Sequence, residues 1–176
     1  MIEFLLTSLS DIKLRLASSD DENDVLYWRN DPITVSFTPK KNTVSRTVHK
    51  KWFKKQLQNE DSPLLIAFTG NKKVGMVRFD LVESSMNNYY EISIHLDPSF
   101  RGKNISSQII DLGIQYLINS QRVIFPIFAK ISNENVPSLK SFKKSNFEKY
   151  EIKINDSYIK EQINDDWSYY IYRFTE

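Results

Sequence analysis

The sequence predicts a mixed α/β fold of the α+β kind, with about seven strands and about four helices. Three observations carry that prediction. Apolar residues alternate with polar ones at Ile12, Leu14 and Leu16, and again through residues 89–96, which is the signature of strands with one buried face. Ile105, Ile109, Leu112 and Tyr116 recur at helical spacing. Continuous apolar runs at residues 63–68 and 123–131 read as fully buried strands.

Taken in order, residues 12–16 form the first strand. Ser19-Asp20-Asp21-Glu22 reads as a capping box that opens a helix through Val25, Leu26 and Trp28, and Asp31-Pro32 ends it. Val44, Val48 and Trp52 mark successive turns of a second helix running to about Gln58. Residues 63–68 then form a strand, Gly70-Asn71 a turn, and residues 74–82 the next strand. Another turn at residues 84–88 leads into a strand at Tyr89–Leu96. After the helix that begins near Ile105 come a strand at residues 123–131 and a helix at Val136–Lys144, which Asn146 closes with a left-handed cap. Residues 147–154 and 169–174 are closing strands, with a loop at about 155–166 between them. No internal repeat or low-complexity linker interrupts this order, so the chain reads as one domain spanning residues 1–176.

Composition removes several function classes. The 176 residues carry a net charge of +2, too small for a strongly electrostatic nucleic-acid binder. The basic run Lys50, Lys51, Lys54 and Lys55 reads as a solvated helix face. There is no cysteine, which removes disulfide scaffolds, thiolate metal sites and thiol catalysis. With only His49 and His95, no metal site is expected. No run approaches the roughly 20 apolar residues of a membrane span, and Met1-Ile2-Glu3-Phe4-Leu5-Leu6 lacks the basic start of a secretory signal. The expected location is cytoplasmic, with neither membrane nor nucleic acid as partner.

The most informative stretch is His95-Leu96-Asp97-Pro98-Ser99-Phe100-Arg101-Gly102-Lys103-Asn104-Ile105-Ser106. A strand turning through an Arg-Gly-Lys loop into a helix gathers free backbone N–H groups at the helix's positive end, where an anion such as pyrophosphate binds. The stretch resembles the acyl-CoA pyrophosphate loop of the GNAT N-acetyltransferases, Arg/Gln-x-x-Gly-x-Gly/Ala. Here it reads Arg101-x-x-Asn104-x-Ser106, with Asn and Ser in place of the two small residues. Asn tolerates a left-handed backbone and Ser is small. The order of elements is similar to that family's, as is Asn135-x-x-Ser138-x-x-x-Phe142-x-Lys144-x-Asn146-Phe147, where Asn146 again stands for Gly.

The resemblance implies a GNAT fold, with a central mixed, mostly antiparallel sheet, and acetyl-CoA as co-substrate without a metal. It implies that the strands at residues 89–96 and 123–131 splay apart to take the pantetheine arm. The N–H near Leu96 would polarise the thioester carbonyl. The loop Arg101, Gly102, Lys103, Asn104, Ile105 and Ser106 would hold the pyrophosphate, and Asn135, Ser138, Phe142 and Lys144 would lie along the cofactor. The family's usual thiolate proton donor is a tyrosine where this chain has Phe142, so Ser138 or a water would supply that proton, or the thiolate would leave unprotonated. Glu91 and His95 share one face of their strand, opposite Ile92, Ile94 and Leu96, and are the candidates for the base that frees the amine. Each has a plainer reading, Glu91 as a surface carboxylate or a cross-strand salt bridge and His95 as a hydrogen-bonded structural histidine.

For the acceptor, Leu26-Tyr27-Trp28-Arg29-Asn30-Asp31-Pro32 followed by His49-Lys50-Lys51-Trp52-Phe53 resembles two groups within the family. One acetylates the amino group of nucleotide-linked amino sugars, the other the N-termini of ribosomal proteins. Trp28, Arg29 and Arg78 are the candidate acceptor-binding residues, with Lys40 and Lys41 as further cations, although Trp28, Trp52 and Phe53 also read as core. The leading expectation is acetyl transfer to a small-molecule primary amine, foremost a nucleotide sugar. The alternatives are a protein N-terminal acetyltransferase and a non-catalytic acyl-CoA-binding module, the latter favoured by Phe142. A monomer or a homodimer fits equally.

Overall fold

The computed structural model describes residues 11–83, 87–120, 125–152, 158–159 and 166–174. The segment 1–6, most of the 84–88 turn, Val123 and Ile124, and nearly all of the 153–166 stretch lie outside them. The described strands are β1 (Lys13–Leu16), β2 (Leu64–Thr69), β3 (Lys72–Val82), β4 (Tyr89–Leu96), β5 (Ile127–Ser132), β6 (Phe147–Tyr150) and β7 (Trp167–Tyr172). They form one sheet in the order β1-β2-β3-β4-β5-β7-β6, antiparallel throughout except for the parallel pair β4–β5. The helices are α1 (Glu22–Asn30), α2 (Pro32–Ser36), α3 (Arg46–Gln56), α4 (Ser106–Ser120) and α5 (Val136–Lys144).

Strand alternation sorts side chains onto two faces. Leu65, Ala67, Val77, Phe79, Tyr90 and Ile92 meet the buried stripe of α4, which is Ile109, Ile110, Ile114 and Leu117. Burying four such side chains contributes on the order of 10 kcal/mol before the entropy of ordering is charged against it. On the opposite face Leu64, Ile66 and Met76 pack with Val25, Trp28 and Phe53 of α1 and α3. Cross-strand register then puts Met76 opposite His95, Arg78 opposite Ser93, and Asp80 opposite Glu91 on that same face. The polar stripe of β4 therefore faces the α1–α3 side.

Several sequence expectations need correction. Five α-helices lie among the described residues, because Asp31-Pro32 does more than end α1. Asp31 accepts from the N–H groups of Ile33 (3.0 Å) and Thr34 (3.1 Å), and Pro32 occupies the first turn, so a new helix begins at once. The N-terminal box of α1 sits one residue earlier than expected. Asp21 reaches back to the Ser18 N–H at 2.8 Å while the Asp21 N–H donates to the Ser18 carbonyl at 3.0 Å, and a short 3-10 turn precedes the helix. The carboxylate is drawn inward because it is wholly buried and pairs with Arg15 (2.7 Å) and Lys73 (2.6 Å).

The buried stripe of α3 is also one residue out of phase with the expected one. Val44 precedes the helix, Val48 is exposed, and His49, Phe53 and Gln56 face inward. Leu16, expected on the buried face, is exposed on β1 at the edge of the sheet. The fifth, sixth and seventh strands are shorter or shifted relative to the predicted 123–131, 147–154 and 169–174.

Two asparagines take left-handed backbone, Asn104 with φ of 58° and Asn146 with φ of 60°. Side chains other than Gly, Asn and Asp are strained there by about 1–2 kcal/mol. Asn146→Ala should lower unfolding stability by about 1 kcal/mol and Asn146→Gly should leave it unchanged or higher, as read from urea midpoints.

Candidate active site

The opening in the molecule comes from an interrupted ladder. β4 and β5 pair only at Tyr90–Ile127 and Glu91–Phe128. Beyond that point β4 stays with β3 as far as Leu96, whereas β5 stays with β7 as far as Ser132. The two strands diverge, and a cleft of about 460 Å³ lies between them. Its walls include Glu91, Ser93, His95 and Leu96 from β4, Ile131 and Ser132 from β5, and Ser138 and Phe142 from α5. The Asp97 N–H donates to the Val74 carbonyl and the Tyr90 N–H to the Pro126 carbonyl. By strand alternation the N–H groups of Ile92, Ile94 and Leu96 therefore point away from β3; that of Ile92 closes the ladder with β5, and those of Ile94 and Leu96 face the cleft.

At one end of the cleft stands the loop that enters α4. Gly102 has φ of 72° and Asn104 φ of 58°, so the chain curls and then feeds straight into the helix. Arg101, Gly102 and Ser106 line the cleft, while Ile105 is buried in the core and contributes only backbone. The first N–H groups of α4 have no helical acceptor and meet the positive end of a 15-residue helix. Gly102, Lys103 and Asn104 are exposed, with Lys103 Nζ over the Phe100 ring at 4.5 Å. Arg101 is committed elsewhere. It pairs with Asp31 at 2.6 Å and donates to Thr34 Oγ1 at 3.1 Å, tying the loop to α2. Asn135 caps α5 by accepting the Ser138 N–H at 3.2 Å. Phe142 is buried edge-to-face on Phe147 with centroids 4.9 Å apart. Lys144 is exposed on the last turn of α5 and is not among the cleft residues.

A second cavity of about 280 Å³ lies on the α1–α3 side, lined by Arg29, His49, Trp52, Arg78 and His95 among others. His95 lines both cavities and forms part of the wall between them. Glu91, four residues back, lies about 13 Å up the strand and lines only the cleft. His95 Nδ1 and Ser93 Oγ are buried without a hydrogen-bond partner among the described residues. Burial, together with Arg78, Arg29 and Arg101 nearby, pushes His95 down to about 3 from its ordinary 6.5, so the ring is neutral at neutral pH. His49 is lowered too, mainly by burial, and its Nε2–H donates to the Glu22 carbonyl at 2.9 Å.

The run Trp28-Arg29-Asn30-Asp31 gives each residue a separate task. Trp28 is buried with its indole N–H on Asp97 at 3.1 Å. This corrects its expected place in the acceptor pocket, where Trp52 stands instead. Arg29 enters the cavity. Asn30 clamps Val44 through both backbone groups at 2.8 Å, which fixes the cavity's outer wall. Asp31 starts α2 and holds Arg101. Sequence reasoning missed Ser93, which sits between the two singled-out residues on the same face of β4. It also missed α2, which with the turn that follows it brings Thr34, Phe37 and Thr38 to the cleft. The Asp-Pro pair with its Asx-type cap was the available signal.

The sequence model of the acetyltransferase (GNAT) domain matches residues 11–148. A provisionally assigned phosphinothricin N-acetyltransferase superposes with a TM-score of 0.69 at 25% identity, covering 94% of this chain and 99% of the other. An N-acetyltransferase from Staphylococcus aureus Mu50 gives 0.70 at 23% identity, covering 92% and 97%. The spermidine N-acetyltransferase of Vibrio cholerae, solved with CoA and spermine, gives 0.69 at 14% identity over 92% and 94%. No protein of curated function matches the sequence.

The depressed His95 sets a pH dependence. As pH falls below 6.5 the unfolded chain takes the proton before the folded one, so stability is lost progressively between about 6.5 and 3. Wild type should lose more urea stability from pH 7 to pH 5 than His95→Gln does. Equal losses would show that the imidazole is not held neutral.

Proposed function

The chain belongs to the GNAT acetyltransferase family, and from that premise we propose that it acetylates the primary amine of a small molecule, foremost the amino group of a nucleotide-linked amino sugar. The observation that carries this reading is His95, set in the wall shared by a cofactor-sized cleft and a separate small cavity. As an N-acetyltransferase the protein uses acetyl-CoA, which when bound supplies an activated thioester. The residues present fit that co-substrate. The diverging strands offer unpaired N–H groups to an amide-bearing arm, and the N-terminus of α4 offers charge and donors to a pyrophosphate.

In this reading the Leu96 N–H polarises the acyl carbonyl. Gly102, Asn104 and Ser106 hold phosphate oxygens through backbone, with Lys103 adding charge. Arg101 positions the loop from α2. Asn135 orients the start of α5, and the Ser138 hydroxyl or a water takes the proton-donor role that Phe142 has no group to fill. Lys144 keeps its outward position, available to a phosphate at the surface. His95, neutral and short of a partner, accepts a hydrogen bond from the amine and aims its lone pair at the cleft. The cations that hold His95 neutral also favour the free amine over the ammonium, so a strong base is not required. Glu91 is the alternative base, acting through water. Trp52 offers a flat wall to a sugar ring. A protein N-terminus would want an open groove with acidic residues, and no carboxylate lines the small cavity among the described residues.

Calorimetry should show acetyl-CoA binding to the wild type, with thiol release on addition of a UDP-linked amino sugar but not of basic N-terminal peptides. His95→Ala should lower kcat by about 100-fold while acetyl-CoA still binds. Because His95 stays neutral through pH 5–9, kcat/KM should climb with the amine's own ionisation and show no break near 6.5. A break there would assign His95 a titrating role and overturn this mechanism.

A further inference from the structure

The small cavity has an unbalanced charge. Arg29 gives a long hydrogen bond to the Asn42 carbonyl at 3.3 Å and pairs with no carboxylate among the described residues. Burial and the neighbouring Arg78 both lower its affinity for its proton, as expected of two guanidiniums sharing one enclosure. Arg78 stacks over the Trp52 ring at 5.1 Å and pairs with Asp80, but Nε and one terminal nitrogen both reach the same oxygen, Oδ2. Its other terminal nitrogen makes no bond among the described residues. Two guanidiniums therefore meet one carboxylate, and that carboxylate is outside the lining. The remaining titratable groups there, His49 and His95, are both driven toward the neutral form. Arg101, the third cation acting on His95, is balanced by Asp31.

Half-buried guanidinium without a counter-charge is costly, and an oxyanion arriving between the two arginines relieves that cost through charge-assisted hydrogen bonds. We propose that this cavity is an oxyanion subsite, in which Arg29 and Arg78 hold a carboxylate or phosphate of the acceptor while its amine meets His95. The proposal rests on the transferase reading above and narrows its acceptor to amines that carry a negative group. A volume of about 280 Å³ suits a compact molecule spanning from the arginines to His95. The same charges exclude polycationic amines. Trp52 keeps Arg78 pointed into the cavity, so the guanidinium is pre-oriented rather than free to swing to solvent.

The test measures thiol release at saturating acetyl-CoA with matched primary amines. One pair is an α-amino acid and its amide, a second is glucosamine 6-phosphate and glucosamine, and a polyamine stands as the cationic control. At least one anionic member should exceed its neutral partner in kcat/KM by tenfold or more. The pair that does so identifies carboxylate or phosphate as the recognised group. Arg29→Gln and Arg78→Gln should erase that advantage through KM, leaving acetyl-CoA affinity by calorimetry unchanged, and Arg29→Lys should restore part of it. Neutral amines or the polyamine used as well as the anionic ones would overturn the subsite while leaving the transferase standing.

A readout free of turnover separates the two claims. Inorganic phosphate should raise the melting temperature of the wild type by more than that of Arg29→Gln, each measured against its own phosphate-free value, because the α4 loop offers an anion site in both. Phosphate stabilisation that depends on Arg29 supports the subsite even if acetyl-CoA fails to bind, a failure that would instead sink the proposed function. Absence of that stabilisation overturns the subsite.

Discussion

Everything functional in this molecule depends on β4 and β5 parting company after Glu91 and Phe128. Each strand has its hydrogen bonding satisfied on its far side, β4 by β3 and β5 by β7. Neither can turn to close the gap without breaking an existing ladder, so the inner N–H groups of Ile94 and Leu96 remain unpaired by strand. A sheet that continued its pairing to Leu96 would have no cleft. The loop into α4 would then face a closed surface, and the cavity behind His95 would have nothing to open onto.

The second organising feature is the tie between the loop and the acceptor side. Asp31 accepts two backbone N–H groups of α2 and the guanidinium of Arg101 with the same oxygen. These contacts bring together segments that are some seventy residues apart. Asp31 is also held below the usual carboxylate range, with burial opposing the shift and Arg101 and the two N–H groups driving it. The charge that keeps the loop in place is thus present at neutral pH and weakens only well into acid.

Much of this was legible in the sequence, for reasons that can be named. The strands of the central sheet showed themselves because one face is apolar and the other polar, and α4 because Ile105, Ile109, Leu112 and Tyr116 recur at helical spacing. The two left-handed positions were readable because Asn is one of the few side chains that sits there. What sequence concealed was decided by contacts between distant segments. The phase of α3 was misread because Val48 and Trp52 look like core residues at helical spacing, yet Phe53 wins the buried side by packing with Trp28, and His49 by stacking on Phe53 and bonding the Glu22 carbonyl. Trp28 looked available for a ligand, but its indole is claimed by Asp97. Arg101 looked like a phosphate ligand, and its guanidinium is claimed by Asp31. The cavity of Arg29 and Arg78 could not be drawn at all without knowing that α1 and β3 meet at the same face.

His95 forms part of a common wall with a cofactor-sized space on one side and an acceptor-sized space on the other. The two spaces draw on different parts of the chain. The first is built mainly from strand backbone, the α4 loop and α5. The second is built from side chains of α1, α3 and β3. Backbone is insensitive to which residue stands at a position, and side chains are not. On the assignment proposed above, substitutions at Arg29, Val48, Trp52 or Arg78 would therefore remodel acceptor choice while the machinery that presents the acyl group stays intact. The shared histidine makes the architecture modular, since a lineage could exchange its amine without rebuilding the half that activates it.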